Sequence, residues 1–251
     1  MDDAALYDSH FHLQLAGCSQ NGVRPNGCTC ATSPEDWEET LSAADERITP
    51  YIGVHPWFLT GMTGEKLSAL KELITAHPGA GVGEIGLDKI KTGTPLDEQR
   101  YWFGKQLEIA SEAERPVSIH CVRAWGALLD ELKKFRDRLP PFFIHAFGGS
   151  EEIMHEIIRL GGLISFSPFT IASSVKKGRE RMARCPDEYL LLDTDFPYSQ
   201  GQPLDEYPRI IEELYSLSAD IRNMPARRLA QLVRKNMAPF LLPNPSSEGT
   251  V

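Results

Sequence analysis

The sequence predicts an α/β fold, an irregular (β/α)8 barrel in which eight parallel strands alternate with helices. Two observations lead to this prediction. Short apolar runs alternate with helical patterns along the chain, and 251 residues are enough for one large barrel. Because no linker or repeat divides the sequence, we expect one domain over residues 1–242 and a loose tail over residues 243–251.

Eight segments have the length and the apolar content of buried strands. They are residues 6–12, 28–32, 51–55, 80–87, 116–121, 142–146, 163–166 and 189–194. The segment between the first two strands, residues 13–27, is too short and too rich in Gly and Asn for a full helix. The barrel is therefore predicted to lack or shorten its first helix.

Capping residues and apolar stripes indicate helices between most of the strands. Ser33 and Pro34 provide an N-cap and a first-turn proline. Apolar residues at helical spacing fill residues 64–76. Further helices are predicted after Pro95, after residue 121, from Ser150 to Gly161, and over residues 205–217 and 225–239.

Charge and composition restrict the possible partners. Acidic residues outnumber basic ones by 35 to 26, a net charge of −9. Such a surface repels a phosphate backbone, so we expect no extended duplex DNA tract and only a small-molecule or short nucleic-acid substrate. The sequence contains no long apolar run and no basic, apolar leader, which predicts no membrane span and a cytoplasmic location.

The five cysteines fit a reducing compartment. Their number is odd, and Cys28-Thr29-Cys30 lacks the two-residue spacer of common zinc and redox motifs. We interpret Cys28 and Cys30 as small, half-hydrophobic residues on one face of a strand.

Metal-binding side chains stand at the carboxyl ends of five predicted strands. His10 and His12 point to one face of the first strand, because side chains alternate along β-structure. The remaining members are Glu84, His120, His145 and Asp195. In a barrel these strand ends form one mouth, where active sites are built. We therefore predict a metal site at the mouth.

Four imidazoles and two carboxylates are more ligands than one tetrahedral ion requires. A carboxylate such as Glu84 can bridge two cations, so two divalent metal ions are predicted. With nitrogen and oxygen ligands and no thiolate, zinc, manganese or iron are favoured over a cage for magnesium alone. The sequence leaves the identity of the ion open among Zn, Mn and Mg.

Other polar residues near the mouth allow two interpretations each. His55 is either a substrate contact or a hydrogen-bonded loop histidine. Arg123 either clamps a phosphate or carboxylate bidentately or forms a surface ion pair. Lys89 is a further candidate cation at the mouth, and Asp8 is expected to support the ligands from deeper in the barrel.

Several motifs, in order along nearly the whole chain, resemble those of TatD-like hydrolases. They are Tyr7-Asp8-Ser9-His10-Phe11-His12, Gly53-Val54-His55-Pro56, Gly83-Glu84-Ile85-Gly86-Leu87-Asp88, Ile119-His120, His145-Ala146-Phe147-Gly148-Gly149-Ser150 and Asp193-Thr194-Asp195-Phe196-Pro197, with Gln99, Phe103, Gln106 and Asn236 at similar spacing. That family belongs to the metal-dependent amidohydrolase superfamily, and its members are commonly described as metal-dependent deoxyribonucleases.

The resemblance implies how the ligands divide between two ions. His10, His12 and Asp195 would hold one ion, and His120 and His145 the other. Glu84 would lie between the two ions. The family usually carries Glu at the position of Asp193.

The sequence is consistent with three functions. The first is hydrolysis of a phosphodiester at nucleic-acid ends or in short fragments by a metal-activated water, with Asp195 as ligand and general base and Glu84 as the bridging catalytic carboxylate. The alternative is hydrolysis of an amide, lactone or ester of a small molecule. A binding protein without turnover is disfavoured because the full ligand set is present. The sequence leaves the oligomeric state open.

Overall fold

The computed structural model describes residues 5–243, and it confirms the predicted barrel. Eight parallel strands follow one another in chain order in a single sheet. They are β1 (Asp8–Phe11), β2 (Gly27–Cys30), β3 (Ile48–Ile52), β4 (Gly81–Asp88), β5 (Val117–Val122), β6 (Phe142–Ile144), β7 (Leu163–Phe166) and β8 (Leu190–Leu192). Nearly all residues of the eight strands are buried, and Val122 and Leu163 are half-buried.

Hydrogen bonds between the end of β8 and β1 bring the two edges of the sheet together. The amide of Asp195 donates to the carbonyl of His10 at 3.0 Å. Below this pair, the Asp8 carboxylate accepts from the hydroxyl of Thr194 at 2.6 Å and from its amide at 2.9 Å. Asp8 is fully buried, and burial raises its pKa to about 7. Asp8 therefore links β1 to the end of β8 through hydrogen bonds.

Helices pack outside the sheet over most of the described chain. They are α1 (Trp37–Ser42), α2 (Gly64–Ala76), α3 (Leu96–Glu112), α4 (Trp125–Lys134), α5 (Glu151–Arg159), α6 (Pro168–Ile171), α7 (Lys176–Arg184), α8 (Tyr207–Arg222) and α9 (Ala226–Met237). Only a 3-10 turn, Leu13–Leu15, lies between β1 and β2, which confirms the shortened first crossover. The helices α6 and α7 were not predicted from the sequence.

One strand was predicted three residues too late. The prediction of 51–55 is wrong because β3 spans Ile48–Ile52 and includes Pro50, which pairs with Thr29. Proline usually argues against a central strand, since it lacks an N–H donor. Beyond the end of β3, the amide and carbonyl of Val54 bond to the Gln106 side chain, so this segment leaves the sheet.

Three other expectations concern the chain as a whole. Among the described residues, no helix is both long and apolar enough to cross a membrane. All five cysteines are free, and Cys28 and Cys30 are buried in the core as expected. Residues 244–251 of the predicted tail lie outside the described residues, and the single-domain assignment stays a prediction.

Candidate metal centre

The six predicted ligands converge around the Glu84 carboxylate. One of its oxygens, Oε2, lies 3.3 Å from His10 Nε2 and 3.5 Å from His12 Nε2. The other, Oε1, lies 3.0 Å from His120 Nδ1 and 2.7 Å from His145 Nε2. Glu84 and all four histidines are buried. Each carboxylate oxygen thus faces one pair of imidazoles, as a bridging ligand requires.

Asp195 completes one side of the cluster. Its Oδ1 lies 3.4 Å from His12 Nε2 and 4.0 Å from His10 Nε2. The residue has φ of +54°, a left-handed conformation that Asp tolerates better than most residues. Its side chain is 32% exposed, whereas that of Glu84 is 4% exposed. Asp195 is therefore the carboxylate of the cluster that solvent reaches most readily.

Close approach of β4 to β5 brings Glu84 and His120 together. A Cβ at Gly86 would lie 2.0 Å from the carbonyl oxygen of His120, and Gly86 has φ of +154°. Only a residue without a side chain allows this backbone contact. Gly86 therefore sets the spacing of the two strands that carry the central carboxylate and one imidazole.

The outward ring nitrogens of the histidines contact protein groups. His12 Nδ1 donates to the carbonyl of Cys30 at 2.7 Å, and His120 Nε2 donates to the carboxylate of Asp88 at 3.2 Å. His10 Nδ1 lies 2.8 Å from the hydroxyl of Ser118. Such contacts fix the tautomer and the ring orientation of metal-binding histidines.

The histidine ring nitrogens that face Glu84 are suited to bind a divalent cation. With their protons directed outward, His12 Nε2 and His120 Nδ1 present lone pairs to the centre. His12 Nε2 lies 3.2 Å from His10 Nε2, and His120 Nδ1 lies 3.1 Å from His145 Nε2. Lone pairs at such distances, beside a carboxylate, repel one another unless a proton or a cation lies between them. Three groups of side chains are close enough together to hold a metal ion: His10, His12 and Asp195; His10, Glu84 and His145; and His55, Glu84 and His120.

Electrostatics hold His10 and Glu84 in the protonation states that a metal requires. Burial first, and then the neighbouring His145, lower the pKa of His10 to about 3, so this imidazole is neutral. Burial by itself would raise the pKa of Glu84, but the surrounding histidines, His55 first, hold it well below its usual range. The histidine–carboxylate cluster thus keeps Glu84 ionised in a buried position. Burial by itself would lower the pKa of His12 and His120, but their hydrogen bonds to Asp195 and Asp88 raise both to about 9, so a bound cation would displace a proton from each ring.

His145 has a looser outward contact than the other three ligands. Its Nδ1 lies 4.0 Å from Asp193 Oδ1, and both of these buried atoms lack a hydrogen-bond partner. The other oxygen of Asp193 accepts from the amide of Ala146 at 3.0 Å. The separation of 4.0 Å leaves a gap between the Asp193 carboxylate and His145.

His55 lies closer to the cluster than the sequence analysis anticipated. Its Nδ1 accepts from the amide of Trp57 at 3.1 Å, so the proton of a neutral ring is on Nε2. That nitrogen lies 3.3 Å from Glu84 Oε1. His55 thus stands at the centre as a hydrogen-bond donor, while its contact with a substrate stays a prediction.

Gln106 of α3 holds the segment that carries His55. Its side chain accepts from the amide of Val54 at 2.7 Å and donates to the carbonyl of Val54 at 3.2 Å. We expect Gln106→Ala to lower the free energy of unfolding by about 1–3 kcal/mol, because two buried backbone groups lose their partner. Urea denaturation of metal-free protein measures this, with Glu98→Ala at an exposed position of the same helix as the control. A loss as small as that of the control would show that Val54 finds another partner.

The ligands open into a cavity of about 440 Å³. His55 lines this cavity, but Lys89 and Arg123 are absent from the lining among the described residues. The lysine at the mouth is Lys91 instead, because the turn after β4 directs the amides of Ile90 and Lys91 to Asp88 Oδ1. Arg123 is exposed at the end of β5, and its role in substrate binding stays a prediction.

Comparison with known proteins agrees with this geometry. A family model described as TatD related DNase matches residues 3–241. The chain belongs to the TatD family. The resemblance inferred from the motifs is therefore confirmed.

Individual TatD relatives match most of the chain. The 3'-5' ssDNA/RNA exonuclease TatD of Dickeya dadantii is 31% identical over 200 residues, covering 78% of this chain and 74% of that protein. An uncharacterized metal-dependent hydrolase of Bacillus subtilis, YabD, is 28% identical over 206 residues, with coverage of 78% and 81%. The crystal structure of YjjV, a TatD homolog from Escherichia coli, superposes with a TM-score of 0.80 at 25% identity, covering 95% and 98% of the two chains.

Proposed function

We propose that the chain is a divalent-metal-dependent phosphodiesterase that acts on the ends of single-stranded nucleic acids or on short fragments. The observation that carries the proposal is the cluster of four buried imidazoles and two carboxylates, which opens into the cavity at the mouth. We propose that two divalent ions bind there, with Glu84 between them. The exonuclease activity named for the Dickeya relative supports the substrate class.

Asp195 and His55 have different roles in the proposed reaction. Bound divalent ions would supply Lewis-acid activation of water and neutralise charge on the attacked phosphate. Asp195 is the more exposed carboxylate and faces the cavity, so its oxygen accepts the proton of the attacking water. His55 directs Nε2–H towards the centre, where it holds Glu84 or donates to an oxygen of the phosphate.

Charge at the mouth limits the length of the substrate that is bound. Lys91 is the one lysine or arginine among the described residues that line the cavity, beside Glu84 and Asp195. A protein that tracks duplex DNA needs several cationic contacts to phosphates. We therefore expect one or two phosphates to be engaged, which favours chain ends over internal sites. The cytoplasmic location remains a prediction from the sequence.

The test combines product analysis with salt dependence. With Mn²⁺ or Zn²⁺, we expect stepwise loss of nucleotides from an end-labelled single strand and negligible cutting of closed circular DNA. Binding of the same strand to Asp195→Asn should weaken with salt at a log–log slope shallower than about −2, since one or two phosphates are contacted.

Three results would contradict the proposal. A slope near about −6, the value for many phosphate contacts, would reveal a basic track. Fast cutting of closed circles would exclude a preference for ends. Turnover of amide, lactone or ester substrates in the same panel, with none of any phosphodiester, would favour the alternative hydrolase.

A further inference from the structure

Exposed aromatic side chains concentrate around the metal cavity. Six large hydrophobic residues are exposed within residues 5–243: Trp57, Phe58, Ile90, Tyr101, Phe169 and Tyr198. Four of them, all aromatic, line the cavity, and Ile90 and Tyr101 do not. Because isolated surface hydrophobics need no explanation but a contiguous patch does, this grouping indicates a binding surface.

Phe169 and Tyr198 form a pair on one side of the mouth. Their ring centroids are 4.8 Å apart at an interplanar angle of 72°, an edge-to-face arrangement. Phe169 is 55% exposed and Tyr198 is 43% exposed, so much of both rings remains open. Phe169 lies in α6 after β7, and Tyr198 lies three residues beyond Asp195. The pair therefore stands beside the carboxylate that we propose as the base.

The opposite side of the mouth carries a different kind of aromatic wall. Trp57 and Phe58 follow β3, which lies across an eight-stranded ring from β7 when strands follow chain order. Trp57 Nε1 donates to Asp88 at 2.8 Å, and the ammonium of Lys91 lies 3.8 Å from the centroid of the Trp57 ring. The indole is thus already fixed and covered by a cation, and Phe58 packs against His55, whereas Phe169 and Tyr198 pair with each other at the mouth.

The charge of the mouth limits the affinity that phosphate contacts can supply, so stacking is a further source of affinity for a nucleic acid. Each phosphate contact needs a cation, and Lys91 is the one Lys or Arg lining the cavity in the described chain. Stacking of a base on an aromatic side chain contributes about 1–3 kcal/mol and requires no positive charge. A paired base inside a duplex has its faces covered by its neighbours and must first be unstacked at a cost of about a few kcal/mol.

We propose that Phe169 and Tyr198 form a stacking platform for an unpaired nucleobase next to the scissile phosphate. The inference rests on the proposed phosphodiesterase function and specifies how that site selects its substrate. The platform binds single-stranded or frayed ends and discriminates against paired ones. It accepts any of the bases, because every base has a π-face.

The platform is tested by measuring binding after removal of the aromatic ring from the protein, of the base from the oligonucleotide, or of both. Phe169→Ala and Tyr198→Ala are compared with Tyr101→Ala, an equally exposed aromatic outside the cavity. Each is combined with Asp195→Asn so that binding is measured without turnover. Fluorescence anisotropy follows a short single-stranded oligonucleotide with an intact end and the same strand with abasic residues at that end. Thermal denaturation shows that each variant is folded.

We expect Phe169→Ala to weaken binding of the intact strand by about 5- to 100-fold, the loss of one stacked base. The same substitution should leave binding of the abasic strand nearly unchanged, because the partner of the ring is already missing. Phe169→Tyr should restore binding, and Tyr101→Ala should have no effect. A merely structural role for Phe169 would weaken both strands equally.

Two results would overturn the platform: equal binding of the intact strand by Phe169→Ala and Tyr101→Ala, or an equal loss for intact and abasic strands. Because the assay measures binding without turnover, its result does not depend on whether the protein cleaves a phosphodiester. Absence of oligonucleotide cleavage by the wild-type protein with metal would refute the phosphodiesterase. The anisotropy cycle would still decide whether a base stacks on Phe169 and Tyr198.

Discussion

Replacement of Glu84 by Gln is expected to abolish high-affinity metal binding and to lower turnover by about 10³-fold or more. Both carboxylate oxygens of Glu84 face imidazole nitrogens at 2.7–3.5 Å, and an amide supplies neither the charge nor two acceptors. A metal ion contributes several kcal/mol to transition-state stabilisation, and each 1.36 kcal/mol is about tenfold in rate. The substitution keeps the shape of the side chain, so the barrel should still fold.

Elemental analysis measures the first effect directly. We expect up to two divalent ions in the wild-type protein and a clear reduction in Glu84→Gln. Added metal should raise the melting temperature of the wild-type protein and not that of the variant, because metal binds only the folded arrangement of ligands. Glu131→Gln is the matched control, since Glu131 is also buried but pairs with Arg100 and Lys134 on the outer helices. Unchanged metal content in Glu84→Gln would remove Glu84 from the centre.

Asp195→Asn is expected to lower turnover by about 10²- to 10⁴-fold while the protein remains folded, the range for loss of a general base. The asparagine keeps the size of the side chain but cannot accept the proton of the attacking water. Its backbone amide still donates to the carbonyl of His10, so the closure of β8 on β1 is retained. Turnover is followed with an end-labelled strand at saturating metal.

Metal content must be measured in the same variant, because Asp195 also lies 3.4 Å from a ring nitrogen of His12. A large loss of turnover with metal content unchanged supports the role as base. Asp130→Asn, at an exposed position of α4, should behave as wild type. A variant of Asp195 that keeps most of the rate with both ions bound would assign proton transfer to another group.

Local patterns were sufficient to predict the fold and the histidines and carboxylates that meet at the mouth. Strand alternation directs His10 and His12 to one face, and the mouth of a barrel gathers whatever stands at the strand ends. The structure places those two residues around one carboxylate with Glu84, His120, His145 and Asp195. These side chains meet because the strands follow one another in chain order around the barrel, and that order can be predicted from the sequence.

Segments with weak local signals were missed. The helix α7 has a strongly polar sequence in which only Gly178 and Met182 are buried, so it lacks a regular apolar stripe. The four-residue α6 is too short to show any period. Pro50 lies within a strand although proline lacks the N–H donor of a central strand, and its neighbours in the sheet hold it there. In each case tertiary packing outweighed a weak local preference.

The sequence by itself determined the barrel and the cluster of histidines and carboxylates at its mouth, because both follow from periodicity and from the order of elements along the chain. Only the tertiary structure decided which side chains surround that centre. Lys91 rather than Lys89 reaches the mouth, Gln106 fixes the segment before His55, and Phe169 meets Tyr198 from the neighbouring loop. These contacts join residues that are distant in sequence, and they depend on loop conformations that no local pattern specifies.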